Sequence, residues 1–300
     1  LKIFSPDFTM PSNSEKPTSA TPSRRIRVRQ MIGKYRVEKK IGTGGFAAVY
    51  AAFDTIEGVH VALKIPHDHH VSPEMLELFR QEVRLATKLD HPHVLRLKDA
   101  SVIDGRFVVV TLLGKQTLDD RLKKRISVTK ALSYAKQMIS AVAYAHELGL
   151  IHCDIKPDNF ILFEDDHLKL SDFGIAKVCK KTIEGSGTGT VGHMSPEQAM
   201  GKPSMRSDVF SLGLIIYRML SGYWPEFPFD WPPPGVANLR KKSVHPELVQ
   251  FIRKSISIRP RDRFADAIQM RDAFQSVNET AIKHLQKVRK AHRLKMDNKK

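Results

Sequence analysis

Short runs of alternating apolar and polar residues dominate the first third of the chain, at positions 35–41, 47–53, 60–65 and 107–112. Each run has the period of a half-buried β-strand. One segment among them, 73–89, spaces its apolar residues by three and four and predicts a helix. After Leu118 the period changes, and 129–148, 205–221, 246–256 and the chain from 265 onward all repeat at helical spacing. A Pro-rich stretch, 224–235, breaks regular structure between them. The predicted architecture is α+β and bilobal: a small, mostly β N-lobe with one helix over residues 32–113, then a larger, mostly α C-lobe over 114–275.

Both ends depart from this patterning. Residues 1–31 are rich in Ser, Thr, Pro and Asn, close on Arg24, Arg25, Arg27 and Arg29, and predict a disordered basic leader. Residues 276–300 predict a basic tail, helical or disordered; Phe274, Val277, Ala281, Leu285 and Val288 would share one face of the helix. Of the net charge of +17, more than half sits in the ends, with 6 basic against 2 acidic residues in 1–31 and 8 against 2 in 279–300. A tail of this kind suits an anionic membrane surface or a partner helix. A specific nucleic-acid site is not expected, because neither zinc-ligand spacing nor an aromatic-rich RNA-binding motif accompanies the charge. Two cysteines, Cys153 and Cys179, exclude a disulfide scaffold and suit a reducing, cytoplasmic setting. The longest apolar stretches, such as 212–217, are too short to cross a bilayer, so a membrane span would have to lie in a longer protein.

The chemistry concentrates in four places. The predicted strand ending at Ile41 runs into Gly42, Thr43, Gly44, Gly45, Phe46 and Ala47, with Val49 on the strand that follows. Glycines let backbone amides approach phosphate oxygens, although a Gly cluster also makes an ordinary hairpin turn. A dinucleotide-binding loop would lead into a helix, whereas here strand follows strand. Fifteen residues past Val49, Lys64 ends the apolar run Val61, Ala62, Leu63. A buried ammonium there needs a carboxylate, and Glu82 in the predicted helix is the candidate, ahead of Glu77. The densest segment is His152-Cys153-Asp154-Ile155-Lys156-Pro157-Asp158-Asn159, followed after a short hairpin by Ser171-Asp172-Phe173-Gly174. Farther on come Thr190, then Ser195-Pro196-Glu197, Asp208 and Arg263.

This ordered set resembles that of the eukaryotic-type protein kinases, over about residues 33–275, and within them the bacterial serine/threonine kinases. The resemblance implies a kinase-like bilobal fold over 32–275 and transfer of the ATP γ-phosphate to Ser or Thr hydroxyls of protein substrates, autophosphorylation included. ATP and Mg²⁺, with Mn²⁺ as a substitute, are the implied cofactors. Asp154 stands at the general-base position, Lys156 beside the transferred phosphate, and Asn159 and Asp172 at the metal positions. Lys64, held by Glu82, would clamp the α- and β-phosphates under Gly42, Gly44 and Gly45. The adenine would lie at a hinge formed by Thr111 and Leu113, in front of Val110, between Ile41, Val49 and Ala62 above and Ile161 below. Thr190 matches a threonine that with Lys156 favours Ser/Thr over Tyr as acceptor. Glu197 is expected to pair with Arg263, and Asp208 to brace the catalytic loop.

Two positions depart from the family pattern. Cys153 replaces the arginine that usually precedes the catalytic Asp and binds a phosphorylated activation-loop residue. The expectation is that phosphorylation of Thr182, Ser186 or Thr188 tunes activity without that contact, and that Cys153 is a buried inert thiol. Ala47 stands where a third glycine is usual. A pseudokinase acting as a nucleotide-binding scaffold is the alternative these substitutions leave.

Overall fold

The computed structural model describes residues 25–45, 47–67, 73–173, 193–225, 229 and 231–297. Six strands form an antiparallel N-terminal sheet: β1 (Met31–Ile32), β2 (Tyr35–Thr43), β3 (Ala47–Asp54), β4 (Val59–Pro66), β5 (Leu97–Ile103) and β6 (Arg106–Leu112), in the order β1-β2-β3-β4-β6-β5. Alternation sorts its two faces. Ala48, Tyr50 and Ala52 of β3, Val61, Leu63 and Ile65 of β4, and Val108 and Val110 of β6 bury together in one core. Val49, Ala62, Lys64 and Thr111 therefore share the other face, with Val49 opposite Lys64 and Ala62 opposite Thr111. The predicted helix is α1 (Pro73–Ala86).

Strand β5 was absent from the sequence expectation, because LKDASVI has no clean alternation and lies half-buried along most of its length as the edge of the sheet. It pairs with β6 across a tight turn in which Asp104 and Gly105 both have positive φ, 52° and 74°. Asp-Gly is a strong signal for such a hairpin.

The C-lobe contains α2 (Leu118–Leu122), α3 (Val128–Glu147), α4 (Pro196–Ala199), α5 (Met205–Ser221), α6 (Val236–Lys241), α7 (Pro246–Ser255) and α8 (Ala267–Asp297). A second small sheet, β7 (Gln116–Thr117), β8 (Phe160–Leu162) and β9 (Leu168–Leu170), lies on it. The long helices are delimited by local chemistry: Ser127 Oγ caps α3 by accepting from Lys130 N, and α5 ends at Gly222 in the left-handed region. Helix α5 is buried on nearly every side. At its middle a Cβ on Gly213 would come within 2.7 Å of Ile256 Cγ2 and Ser255 Cβ, so α7 can pass close only because this residue is glycine.

The chain after α1 docks onto the C-lobe. Leu95 N donates to Leu170 O at 2.8 Å, Leu170 N donates to His93 O at 2.8 Å, and Asp90 N donates to the Tyr144 hydroxyl at 3.0 Å. The expected boundary at 275 falls inside α8, which runs unbroken from Ala267 to Asp297. Phe274, Ala281 and Leu285 lie in the main core and Val277 packs against it, so the apolar face of the expected tail is occupied by its own lobe. Of that face Val288, 36% exposed, is the least buried. No described helix is long and apolar enough to cross a membrane.

Candidate active site

The turn from His152 to Asn159 is set from below by Asp208. This carboxylate, 1% exposed, accepts from His152 N (2.8 Å), Cys153 N (3.0 Å) and His146 Nε2 (3.0 Å). His146 Nδ1 in turn accepts from Ala267 N at 2.9 Å, so α3, α5 and the start of α8 converge beneath the loop. Cys153 is buried and held at φ +65°, a conformation that a non-glycine residue adopts only when its surroundings dictate it. Gln198 Nε2 fixes it from above by donating to Cys153 O at 2.5 Å.

With the loop fixed, Asp154 points into a cluster. Lys156 Nζ lies 2.9 Å from Asp154 Oδ2. Asn159 Nδ2 donates to both the Asp154 carbonyl (2.8 Å) and Asp154 Oδ2 (3.0 Å). Both of the amide's protons are thereby engaged, which leaves its oxygen as the atom available to a ligand. Ser171 N donates to Asn159 O at 2.8 Å, joining the end of β9 to this turn. His152 Nε2 donates to Ser171 O (2.9 Å) while Nδ1 accepts from Asp154 N (3.2 Å), so one tautomer satisfies both bonds. The same ring meets Phe173 edge-on at 4.8 Å.

Asp172 follows in the left-handed region, φ 62°, with its side chain directed at the N-lobe. Lys64 Nζ reaches it from β4 in a direct ion pair across the cleft. Burial pushes the Asp172 carboxyl up, but the Lys64 ammonium outweighs it, with His152 and Lys156 adding, and holds the group below its ordinary 3.8. The group stays ionised at neutral pH. The Asp172 carboxylate and the Asn159 amide oxygen are hard oxygen donors that fit a divalent cation. Among the described residues no three His, Cys, Asp or Glu side chains gather as a metal cage. Two protein ligands suit an ion that takes its remaining oxygens from phosphate and water.

Above the cleft, the glycine loop is not packed shut. A Cβ at Gly42 or Gly44 would meet nothing nearer than 3.8 or 3.7 Å, and one at Gly45 nothing within 4 Å. Packing thus does not require these glycines, and their backbone remains open to approach. Gly44 N donates to Ala47 O at 2.9 Å, and His67 Nε2 donates to Gly44 O at 3.0 Å. Val49, Ala62, Thr111, Leu113 and Ile161 are half-buried on the cleft side, Ile41 is 45% exposed, and Val110 is fully buried in the N-lobe core. Glu82 falls within α1, but its side chain lies outside the described set; Thr190 and Phe46 lie outside it altogether, as do Thr182, Ser186 and Thr188. The expected Glu197–Arg263 pair is present at 2.7 Å.

Four contributors were not read from the sequence: Gly114, His67, Gln198 and His146. Gly114 matters most, since a Cβ there would stand 2.1 Å from Ile161 Cγ2. This glycine lets the hinge lie directly on β8, and Lys115 N donates to Leu162 O at 2.7 Å beside it. A glycine just after the last N-lobe strand was its only visible signal.

A family model for the protein kinase domain matches residues 35–278. PrkC of Bacillus subtilis, named a serine/threonine-protein kinase, is 33% identical over 67% of this chain and 32% of its own length. PknA of Mycobacterium tuberculosis, named likewise, is 36% identical over 65% of this chain and 48% of its own. A probable serine/threonine-protein kinase of Clostridium acetobutylicum is 30% identical over 84% of this chain and 41% of its own. The chain thus spans less than half the length of these relatives. The fold is that of the M. tuberculosis PknI kinase domain, with a TM-score of 0.65 at 22% identity, covering 84% of this chain and 100% of that one. With this architecture and a match over most of its length, the chain belongs to the protein kinase domain family.

Proposed function

We propose that this chain is an ATP-dependent serine/threonine protein kinase acting on protein substrates and on itself, through a catalytic domain spanning residues 32–275 and carried on into α8. One observation carries the reading: Asp154, Lys156 and Asn159 are tied into one cluster, joined through the Ser171 backbone to Asp172, which Lys64 reaches from the opposite lobe. The names of PrkC and PknA support the acceptor class.

In this reading a Ser or Thr hydroxyl oxygen attacks the γ-phosphorus of ATP. The bond from phosphorus to the β–γ bridging oxygen breaks, ADP leaves, and the hydroxyl proton passes to the Asp154 carboxylate. Asp154 orients that hydroxyl, a contribution of roughly 10²–10⁴-fold in general-base systems. Lys156, already beside Asp154, offsets charge on the transferred group. Asp172 and Asn159 would hold Mg²⁺, which when bound neutralises charge on the β- and γ-phosphates. Lys64 then exchanges its contact with Asp172 for the α- and β-phosphates, backed by Glu82. The open glycine backbone covers the phosphates, and Ile41, Val49, Ala62 and Ile161 enclose the adenine against Thr111 and Leu113; Val110, buried on the opposite face of the sheet, backs this wall from the core without lining it. Thr190 is assigned to the acceptor side by the resemblance.

An anionic surface as partner of residues 279–300 has the support of exposed basic side chains along the last turns of α8. The decisive experiment is transfer of labelled γ-phosphate to the chain itself and to a generic basic protein, with Mg²⁺ present or chelated. Metal-dependent transfer by the parent and none by Asp154→Ala is expected. Equal negligible signals from both would reject the enzyme in favour of a nucleotide-binding scaffold.

A further inference from the structure

Arg218, near the end of α5, has a buried Nε–H without a hydrogen-bond partner. Buried donors in folded proteins are almost always satisfied, so such an exception calls for an explanation. Its surroundings are basic. Lys242, just past α6, lies close enough to Arg218 and Arg125 to feel both; burial first, then these two charges, lower its pKa from the ordinary 10.5. Lys242 Nζ is anchored by donating to Leu220 O at 2.7 Å, which keeps the ammonium at the end of α5. Among the described residues no carboxylate pairs with Arg125, Arg218 or Lys242.

The cluster continues toward the cleft through one indole. The Arg218 guanidinium stands 6.0 Å from the Trp224 ring, and His193 meets the same ring edge-on at 4.2 Å. His193 Nδ1 is a second buried nitrogen with no partner. Burial keeps the ring neutral, so it can offer an uncharged N–H. The same imidazole is within electrostatic reach of Asp154, Lys156, Asp158 and Asp119, which places it beside the catalytic loop.

Uncompensated cations and orphaned donors on a path leading to the general base want an oxyanion on the substrate. We propose that Arg218, Lys242 and Arg125, with His193 and Trp224 on the side nearer Asp154, form a subsite for a carboxylate or phosphate ester on the substrate peptide, a few residues from the acceptor. The subsite rests on the protein-kinase reading, since only a peptide acceptor would bring that group there. Asp119 and Asp158 also lie within electrostatic reach of His193, so the docking face carries both signs of charge and the acid preference should be confined to the offset that meets Arg218.

The test is fluorescence anisotropy with the full chain and labelled Ser peptides in which one Asp, phosphoserine, Ala or Lys is walked through the flanking positions. At one offset Asp or phosphoserine should tighten binding about tenfold over Ala, the scale of one charge-assisted contact; which of the two gains more identifies the source. Arg218→Ala should remove the gain, and Arg218→Glu should transfer it to Lys. Arg125→Glu, in an exposed side chain, should reduce the gain without moving the melting temperature, which guards against misfolding of the Arg218 variants. Equal affinity for acidic and Ala peptides at every offset, or a gain that survives both Arg218→Ala and Arg125→Glu, overturns the subsite. Phosphate transfer to the Ala peptide, run in parallel, keeps the two claims apart. Transfer without an acid preference rejects the subsite alone, and acid-dependent binding without transfer rejects the kinase reading alone.

Discussion

Arg263 and Glu197 meet through two parallel hydrogen bonds, Nη1 to Oε1 at 2.7 Å and Nη2 to Oε2 at 3.2 Å. The remaining guanidinium protons go to the carbonyls of Ser257, Arg206 and Ile258, so all five donors are used. Glu197 Oε1 also accepts from Ser207 Oγ at 2.7 Å, which ties the start of α4 to α5 and to the turn before α8. The segment above the catalytic loop is thereby clamped to the base of the lobe.

Glu197→Gln should cost about 3–5 kcal/mol of stability, because it strands a buried guanidinium without its counter-charge. Arg263→Lys should cost a comparable amount, since an ammonium has three donors and no planar fork. Urea denaturation of each variant measures this, and a loss below about 1 kcal/mol would mean the pair is only decorative.

The same pair sets an acid limit. Burial pushes the Glu197 carboxyl up, but Arg263 and Ser207 outweigh it and leave it below its ordinary 4.5. A depressed carboxyl contributes stability that is complete above the unfolded value and is lost as pH falls through the folded one. Melting temperature should therefore fall more steeply below pH 4.5 in the parent than in Glu197→Gln. Parallel curves for the two proteins would contradict this assignment.

Asp208 acts on the reaction only through the backbone it holds. Asp208→Ala strands the N–H groups of His152 and Cys153, at about 1–3 kcal/mol for each buried donor. Cys153 would then have less reason to keep φ +65°, and Asp154 would lose its aim. The expected result is a fall in kcat of at least about tenfold, with KM for ATP little changed because Lys64 and the hinge are untouched. A variant that folds and turns over normally would refute this bracing role.

Alternation exposed β3, β4 and β6 because each has one face in a core, whereas β5 is a half-exposed edge whose only clear signal was its Asp-Gly turn. Asp154, Asn159 and Asp172 stood out through the resemblance their motifs carry, and their types suit a reaction that needs hard oxygen ligands and a carboxylate near the nucleophile. Gly114, Gln198 and His146 were not, since their roles arise from contacts with Ile161, Cys153 and Asp208, distant in sequence or unremarkable in type. The apolar face of 274–288 was seen correctly, but periodicity could not say which surface would cover it.

Gly114→Ala should bring a methyl into Ile161 at the point where the hinge lies on β8. Over-packing of this kind costs about 1–3 kcal/mol. Because Ile161 would be displaced, nucleotide affinity should fall together with stability. Isothermal titration with ATP analogues separates the two: a destabilised variant with unaltered affinity would remove Ile161 from the nucleotide floor.

The terminal helix offers the clearest contrast between two physical pictures. If its apolar face served a membrane or a partner, trimming that face would weaken the interaction and leave the fold alone. Leu285, however, is 9% exposed in the lobe core, and Arg289 Nη2 donates to Thr129 Oγ1 at 3.2 Å farther along. Leu285→Ala should therefore cost about 2 kcal/mol, the lower end for a buried leucine because it sits at the rim of the core. Leu294→Ala, at a residue 54% exposed, should change stability by no more than about 0.5 kcal/mol. Vesicle co-sedimentation completes the comparison: attraction to anionic lipid should follow the basic residues and fall with salt, and be indifferent to Leu285. Equal stability of the two leucine variants, with vesicle binding lost only in Leu285→Ala, would mean that the helix leaves the lobe to find its partner.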